Sequence, residues 1–387
     1  MTSGRQSRSR HRRPQRWSTS RSCWDHKGAD TDVALKIWRY DPESGEKALR
    51  EYEVDAPEWA CLLDVLDLIK DKHDGTLAYR KSCRMMICGS CGMRMDGRAI
   101  LACKERMKPI ADAGHVPVIS AMGNMPVLKD LVVDMEPFWG KVRSVKPWLD
   151  PGYDEPAEQE RVVSQQKMNV IHKEALCIMC GCCVSECNSM ESDPEFMGPA
   201  ALAKGMRFVG DARDHAEVER LNTMNEEHGI WDCTRCYFCN ERCPKGVDPR
   251  DAIAKLGAES IRLDIDHDMG AKHAKWFVKS AETTGWLRET ELVPKTQGVV
   301  SAIKEIGFAL RLARRGKVPP PFPPHVAKDV KEARLLHELV KQQGREGALG
   351  IVQGEHALGR IEFLEESGAR ENAPEIQPGV EPPPAEG

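Results

Sequence analysis

Fifteen cysteines constrain this chain more than any other feature, because most of them fall into three tight runs. Secreted disulfide scaffolds are short and distribute their cysteines as framework pairs. Close spacing instead brings several thiolates around one centre, which is the arrangement of a metal site. The runs are Cys83-x4-Cys88-x2-Cys91 with Cys103 beyond it, Cys177-x2-Cys180-x2-Cys183-x3-Cys187, and Cys233-x2-Cys236-x2-Cys239-x3-Cys243.

Structural zinc and iron–sulfur clusters are the two kinds of site to weigh. Zinc sites usually take cysteines two by two, often together with histidines. A CxxCxxC triplet with a later cysteine, followed in the third run by Pro244, is typical of iron–sulfur clusters. The spacing therefore favours iron–sulfur over zinc.

The first run has the plant-type [2Fe–2S] spacing, C-x4-C-x2-C plus one distant cysteine. Gly89, Ser90 and Gly92 leave backbone N–H groups free to point at inorganic sulfides, and glycine tolerates the left-handed conformations of such a loop. The predicted ligands are Cys83, Cys88, Cys91 and Cys103.

The second and third runs repeat the bacterial two-cluster pattern, in which the fourth cysteine of each run binds the other cluster. One cubane-type cluster is then predicted on Cys177, Cys180, Cys183 and Cys243, and the other on Cys187, Cys233, Cys236 and Cys239. This crossing couples assembly of the clusters to folding of the segment between them. Three cysteines remain: Cys23 lies in a terminal tail, and Cys61 and Cys182 are predicted to pack rather than to bind metal.

Composition narrows the class of function. A net charge of −4 lacks the basic field typical of nucleic-acid binders, so no nucleic-acid partner is expected. No apolar stretch approaches the ~18 residues that a membrane span requires. There is also no dinucleotide fingerprint, nucleophile–histidine pair or Walker loop. A chain with three clusters and no catalytic residue of its own is predicted to carry electrons, with two-electron chemistry on a neighbouring subunit, most simply at a flavin.

The order of patterns predicts an α+β chain: a β-grasp (plant-type ferredoxin) domain, an all-α dicluster ferredoxin-like domain and a helical C-terminal extension. "VALKIWRY" and "LREYEV" alternate like strands, and "ACLLDVLDLIKDKH" has helical spacing. Two amphipathic helices are expected after residue 298, and their apolar stripes form either a bundle core or a contact with a partner. The predicted units are a disordered Arg-rich tail (1–30), the [2Fe–2S] domain (31–146), the dicluster domain (160–262), the helical extension (263–345) and a mostly disordered tail (346–387).

The motifs resemble the iron–sulfur subunit of the succinate dehydrogenase/fumarate reductase family. The matching segments are "SCRMMICGSCGMRMDGRAILAC", "PVLKDLVVDM", "CIMCGCCVSEC", "FMGPAALAKGMRFVGDARD" and "CTRCYFCNERCPKGV". The resemblance implies a flavoprotein partner carrying FAD, membrane-anchor subunits, and a quinone near the third cluster. It also implies electron flow from flavin through the Cys83, Cys177 and Cys233 groups in that order. Because clusters of this kind belong in the reducing cytoplasm, the chain is expected at the cytoplasmic face of the cell membrane, held by partner subunits.

Two segments depart from the family pattern. Many members have a different residue where Cys236 stands, and their third cluster is [3Fe–4S]. With Cys236 present a second [4Fe–4S] cluster is predicted, the alternative being a three-iron cluster with Cys236 free. Residues 188–192 replace the proline and tryptophan that help to form the quinone pocket of well-known relatives, so no quinone-binding residue is assigned and these residues are expected to begin the next helix.

The C-terminal extension suggests an alternative function. Residues 270–292 resemble the small iron–sulfur subunit of heterodisulfide reductases, so the alternative function is an electron-transfer module of such a complex or of a hybrid complex with CCG domains. A stand-alone electron carrier is the third possibility, and the additional helices argue against it.

Overall fold

The computed structural model describes residues 30–152, 162–317 and 326–345. Apart from Asp30, the tails predicted to be disordered lie outside these ranges. Within them the chain forms a sheet domain, a helical domain and a helical extension, which confirms the predicted fold class.

A five-stranded mixed sheet forms the first domain. Its strand order is β2-β1-β5-β3-β4, with β1 antiparallel to β2 and parallel to β5. A separate hairpin, β6–β7, completes the domain. The strands are β1 (Asp30–Tyr40), β2 (Lys47–Pro57), β3 (Gly92–Met95), β4 (Arg98–Leu101), β5 (Val118–Ser120), β6 (Val127–Lys129) and β7 (Val132–Val133).

The predicted alternation of β1 explains how this sheet buries one face. Val33, Leu35 and Ile37 are buried, whereas the side chain of Trp38 points to solvent. Three helices accompany the strands: α1 (Leu62–Lys72), α2 (Lys108–Asp112) and α3 (Glu136–Ser144). The apolar positions of α1 recur at helical spacing and are buried against the sheet.

The second domain is entirely helical in the residues described. The predicted helix at "PAALAKGMRFVGDA" is α7, which packs against α10 at the centre of the domain. Residues 188–192, expected to begin the next helix, form a short helix, α6, that ends before α7 begins. The helices are α4 (Gln165–Ala175), α5 (Cys182–Ser185), α6 (Asn188–Ser192), α7 (Gly198–Val209), α8 (Glu217–Met224), α9 (Phe238–Glu241) and α10 (Pro249–Arg262), with a 3-10 turn at Ile230–Asp232.

The cores of the two domains interlock. Phe138 and Val142 of α3, which follows the sheet in sequence, pack into the helical core beside α7. In the other direction, Ile178, Cys180 and Cys182 of the second cysteine run pack against the core of the sheet domain. The relative position of the domains is therefore fixed by shared packing rather than by the segment that joins them.

The extension consists of α11 (Met269–Thr284), α12 (Glu289–Thr296), α13 (Val299–Arg314) and α14 (Val330–Arg345). The two amphipathic helices expected from the sequence are α13 and α14. Ile303, Ile306 and Leu310 of α13 are exposed, as are Leu335 and Leu336 of α14. A bundle core is thus the wrong interpretation of these stripes within the described chain, because these apolar side chains remain exposed.

A buried ion pair links the helical domain to the residues that follow α3. Arg220 and Asp214 are both about 1 % exposed, and the guanidinium donates to both carboxylate oxygens at 3.1 and 2.8 Å. Arg220 also donates to the carbonyl oxygens of Val145 (2.9 Å) and Trp148 (2.7 Å). All of these acceptors lose a donor if the arginine is removed.

Arg220→Met is expected to lower the free energy of unfolding by about 3–5 kcal/mol, because it leaves the Asp214 carboxylate buried and unpaired. Urea unfolding followed by circular dichroism measures the change. The control is Lys146→Ala, which breaks the exposed Lys146–Glu219 pair and should cost no more than about 1 kcal/mol. Equal effects of the two substitutions would contradict the central role of Arg220.

Candidate iron–sulfur cluster sites

Backbone N–H groups of the first cysteine run surround the sulfur atoms of Cys83 and Cys88. Sγ of Cys83 accepts hydrogen bonds from the backbone N–H groups of Met85 (3.4 Å), Ile87 (3.3 Å) and Cys88 (3.3 Å). Sγ of Cys88 accepts from the N–H groups of Cys83 and Ser90, both at 3.5 Å. Converging N–H dipoles of this kind stabilise negative charge on sulfur.

This loop depends on residues in left-handed conformations. Gly89 has φ = 71°, as its position predicts, but Arg84 and Met86 also have positive φ, both 58°. Left-handed backbone is uncommon outside glycine and costs free energy, so surrounding contacts must hold it in place. The sequence gives no signal for Arg84 and Met86, because neither residue type favours this conformation.

Asp67 on α1 supplies those contacts. Its carboxylate is buried and accepts hydrogen bonds from Arg84, from Lys81 (2.6 Å) and from the hydroxyl of Tyr79. Arg84 also donates to Asp64, one helical turn earlier, at 3.0 Å. These hydrogen bonds attach α1 to the first cysteine loop.

The β3–β4 hairpin brings Cys103 back to Cys91. The backbone N–H of Ala102 donates to the carbonyl of Cys91 at 3.1 Å, and the two thiols lie within hydrogen-bonding range. Burial raises the pKa of Cys91 to about 12. Burial also opposes ionisation of Cys88, but hydrogen bonds from Ser90 and from the backbone of Cys83 lower its pKa to about 6. The four thiols predicted to act together therefore do lie together.

The second and third runs meet around two cavities. Each cavity is lined by the first three cysteines of one run and by the last cysteine of the other. The first cavity is lined by Cys177, Cys180, Cys183 and Cys243, and the second by Cys187, Cys233, Cys236 and Cys239. The structure thus brings together the two crossed sets that the spacing predicts.

The loops around these cavities repeat one conformation. Met179 and Gly181 have φ values of 56° and 81°, and Arg235 and Tyr237, at the equivalent places in the third run, have 56° and 69°. A one-turn helix follows each loop, α5 after Gly181 and α9 after Tyr237. Only Gly181 was recognisable from the sequence as suited to such a position.

Burial disfavours ionisation of several of these thiols. It raises the pKa of Cys183. Burial and the neighbouring cysteines raise the pKa of Cys239 to about 12. At Cys180, by contrast, a hydrogen bond from Cys182 outweighs burial and lowers the pKa to about 7. Four soft sulfur donors around one cavity suit a metal–sulfur centre, so the residues present fit the predicted clusters.

The other two cysteines that the structure describes line neither cavity. Cys61 caps the N-terminus of α1, and its thiol donates to Asp64 at 2.9 Å. Cys182 is fully buried, with Sγ 3.7 Å from the carbonyl oxygen of Ile100. Both fit the packing roles predicted for them. Cys23 lies outside the described residues.

Known proteins identify the family to which these sites belong. Residues 34–140 match the family model of a 2Fe-2S iron-sulfur cluster binding domain, and residues 175–247 match that of a 4Fe-4S dicluster domain. The fumarate reductase iron-sulfur subunit of Haemophilus influenzae is 38% identical over 241 residues, covering 59% of this chain and 93% of the relative. The chain belongs to the fumarate reductase/succinate dehydrogenase iron–sulfur subunit family.

Two further relatives extend the match. The 8-methylmenaquinol:fumarate reductase iron-sulfur subunit of Wolinella succinogenes is 33% identical over 289 residues, covering 73% of this chain and 90% of the relative. A chain of the Mycobacterium smegmatis Sdh1 complex in the apo form has a TM-score of 0.53 at 25% identity, covering 62% of this chain and 99% of that one.

As a member of this family, the chain is an iron–sulfur electron-transfer subunit of a succinate dehydrogenase or fumarate reductase, with [2Fe–2S] and [4Fe–4S] cofactors. The heterodisulfide reductase alternative is not favoured. Among the helices described, none combines the length and apolar character that crossing a bilayer requires.

Asp67→Asn is expected to loosen the first cysteine loop and to lower the free energy of unfolding by about 1–3 kcal/mol, since the amide cannot serve all three donors. The fraction of chains that give a [2Fe–2S] EPR signal should fall with it. Asp71→Asn, at an exposed position of the same helix, is the matched control. Identical signal intensity in the two variants would show that Asp67 does not support the loop.

Proposed function

We propose that the twelve clustered cysteines hold three clusters. Cys83, Cys88, Cys91 and Cys103 hold a [2Fe–2S] cluster; Cys177, Cys180, Cys183 and Cys243 a [4Fe–4S] cluster; and Cys187, Cys233, Cys236 and Cys239 a third, cubane-type cluster. The observation that carries this proposal is the pair of cavities, each lined by four thiols drawn from both runs. When bound, the clusters pass single electrons.

The positions of the three sets support a linear path. The loop of the first set meets the second set at Gly89, which lies directly against Cys180. The second and third sets are close enough for Cys183 and Cys239 to interact electrostatically. The second set therefore lies between the other two, in agreement with electron flow from the Cys83 group through the Cys177 group to the Cys233 group.

Cys236 supports a second [4Fe–4S] cluster as the third centre. Its side chain lines the same cavity as the thiols of Cys187, Cys233 and Cys239, so a fourth sulfur donor is in place. Cys236 is exposed to solvent, whereas Cys187 and Cys239 are buried.

We further propose that the chain works beside a flavoprotein subunit carrying FAD, with membrane-anchor subunits and a quinone near the third cluster. Relatives are subunits of fumarate reductases, one of them a menaquinol enzyme by name. The exposed apolar faces of α13 and α14 fit surfaces that another subunit covers. In this proposal the chain lies at the cytoplasmic face of the membrane, held there by its partners.

Cys243→Ser tests the crossed assignment. Although Cys243 belongs to the third run, its replacement should damage the [4Fe–4S] cluster of the second set and abolish succinate–quinone activity. Iron and labile-sulfide analysis together with EPR measures the loss. Cys61→Ala is the control and should keep full iron content, because its thiol donates to Asp64 of α1 and lines neither cavity. Full activity of Cys243→Ser without the middle cluster would refute the path.

The air-oxidised protein should lack the intense, near-isotropic EPR signal of a three-iron cluster, because Cys236 supplies a fourth ligand. Cys236→Ala should gain that signal. A full-occupancy three-iron signal in the unmodified protein would overturn the four-iron assignment.

Purification of the native complex tests the proposed partners. A flavoprotein should co-purify, and the complex should reduce dyes with succinate. A complex without flavin or succinate activity would refute the proposed partnership.

A further inference from the structure

Gly89 is the point where the first cysteine loop touches the second set of thiols. A methyl group added at Gly89 would lie 2.8 Å from Cα and 2.9 Å from Cβ of Cys180, and 3.0 Å from the carbonyl oxygen of Ile178. These distances are shorter than van der Waals contact, so no side chain fits unless the two loops separate. Gly89 is also next to Cys88, a proposed ligand of the [2Fe–2S] cluster.

A second glycine borders the same junction. A methyl group at Gly92 would lie 3.1 Å from the carbonyl oxygen of Cys180 and 2.9 Å from Sδ of Met122. Unlike Gly89, Gly92 does not have a positive φ, so its lack of a side chain is not explained by backbone conformation. Gly89 in the loop and Gly92 at the start of β3 thus both lie so close to Cys180 that a side chain at either position would push against it.

Contacts from the sheet domain hold the other side of the junction in place. Arg94 donates to Oγ of Ser185 and to Oε1 of Glu186, both at 3.0 Å. The amide of Asn124 donates to the carbonyl oxygens of Val184 (2.8 Å) and Cys187 (2.9 Å). The second cysteine run therefore cannot drift away from the first loop without breaking several hydrogen bonds.

We propose that Gly89, supported by Gly92, is a positioning residue for electron transfer: it sets the distance between the [2Fe–2S] cluster and the first [4Fe–4S] cluster by allowing direct contact with Cys180. The inference rests on the cysteine assignment proposed above. Each cluster keeps its own ligands; what the glycine controls is the gap that the electron crosses.

The test compares Gly89→Ala with Gly97→Ala in the full chain within its complex. Gly97 has φ = 76°, close to the 71° of Gly89, but nothing lies within 4 Å of a methyl group placed there. Both substitutions therefore place alanine at a similar positive φ, and only Gly89→Ala presses on Cys180.

The readout is the microwave power that half-saturates the [2Fe–2S] EPR signal while the neighbouring [4Fe–4S] cluster is reduced. This power should fall in Gly89→Ala, because spin relaxation by a nearby paramagnet weakens steeply with distance. Succinate–quinone turnover should drop several-fold in the same variant. Gly97→Ala should match the unmodified protein in both measurements.

Equal saturation behaviour of the two variants, with clusters intact, would overturn the inference. Failure of the underlying cysteine assignment would look different, since the unmodified protein itself would then lack one of the two signals. If the Gly89→Ala protein binds too little iron for its EPR signal to be measured, the same measurement on Gly92→Ala tests the inference. Its methyl group presses on the carbonyl oxygen of Cys180 without a left-handed penalty, so it should show a smaller shift in the same direction. No shift in this variant would also refute the inference.

Discussion

The crossing of the second and third cysteine runs is the constraint on which the helical domain depends. Cys187 must reach the thiols of the third run, and Cys243 those of the second. The chain between the runs has to return on itself to satisfy both, and it does so as α7 and α8, with α7 packed against α10. Neither cavity has four sulfur donors until the second and the third cysteine run have come together. Assembly of the proposed clusters and folding of the domain are therefore linked.

That linkage also explains why strained backbone is tolerated. Arg84, Met86, Met179, Arg235 and Tyr237 all have left-handed conformations that side chains disfavour. Each lies within a cysteine run, where the backbone must turn sharply to aim successive sulfurs at one point. The network of Asp67 with Arg84 stabilises the first loop before any metal enters. In the other loops, the proposed metal–sulfur bonds would offset the cost.

Interlocked cores give the molecule its second important property, a fixed distance between the proposed clusters. Cys180 belongs by sequence to the helical domain but packs with the sheet domain, and α3 shows the reverse arrangement. A flexible connection would let the gap between redox centres vary, and transfer would vary with it. Here the contact of Gly89 with Cys180, together with Arg94 and Asn124, ties the two domains at the place where an electron has to cross.

The sequence alone indicated the first two strands, several of the helices and the membership of the three thiol sets, because hydrophobic periodicity and cysteine spacing are local properties. It also indicated a glycine in a left-handed turn at position 89. It could not reveal Asp67 as the anchor of the first loop, the left-handed Tyr237, or the exposed apolar face of α13. Those features depend on which surfaces meet. Only the tertiary structure decided that Gly89 lies against Cys180, because contact between residues so distant in the chain is set by the packing of two domains and leaves no periodic trace in the sequence.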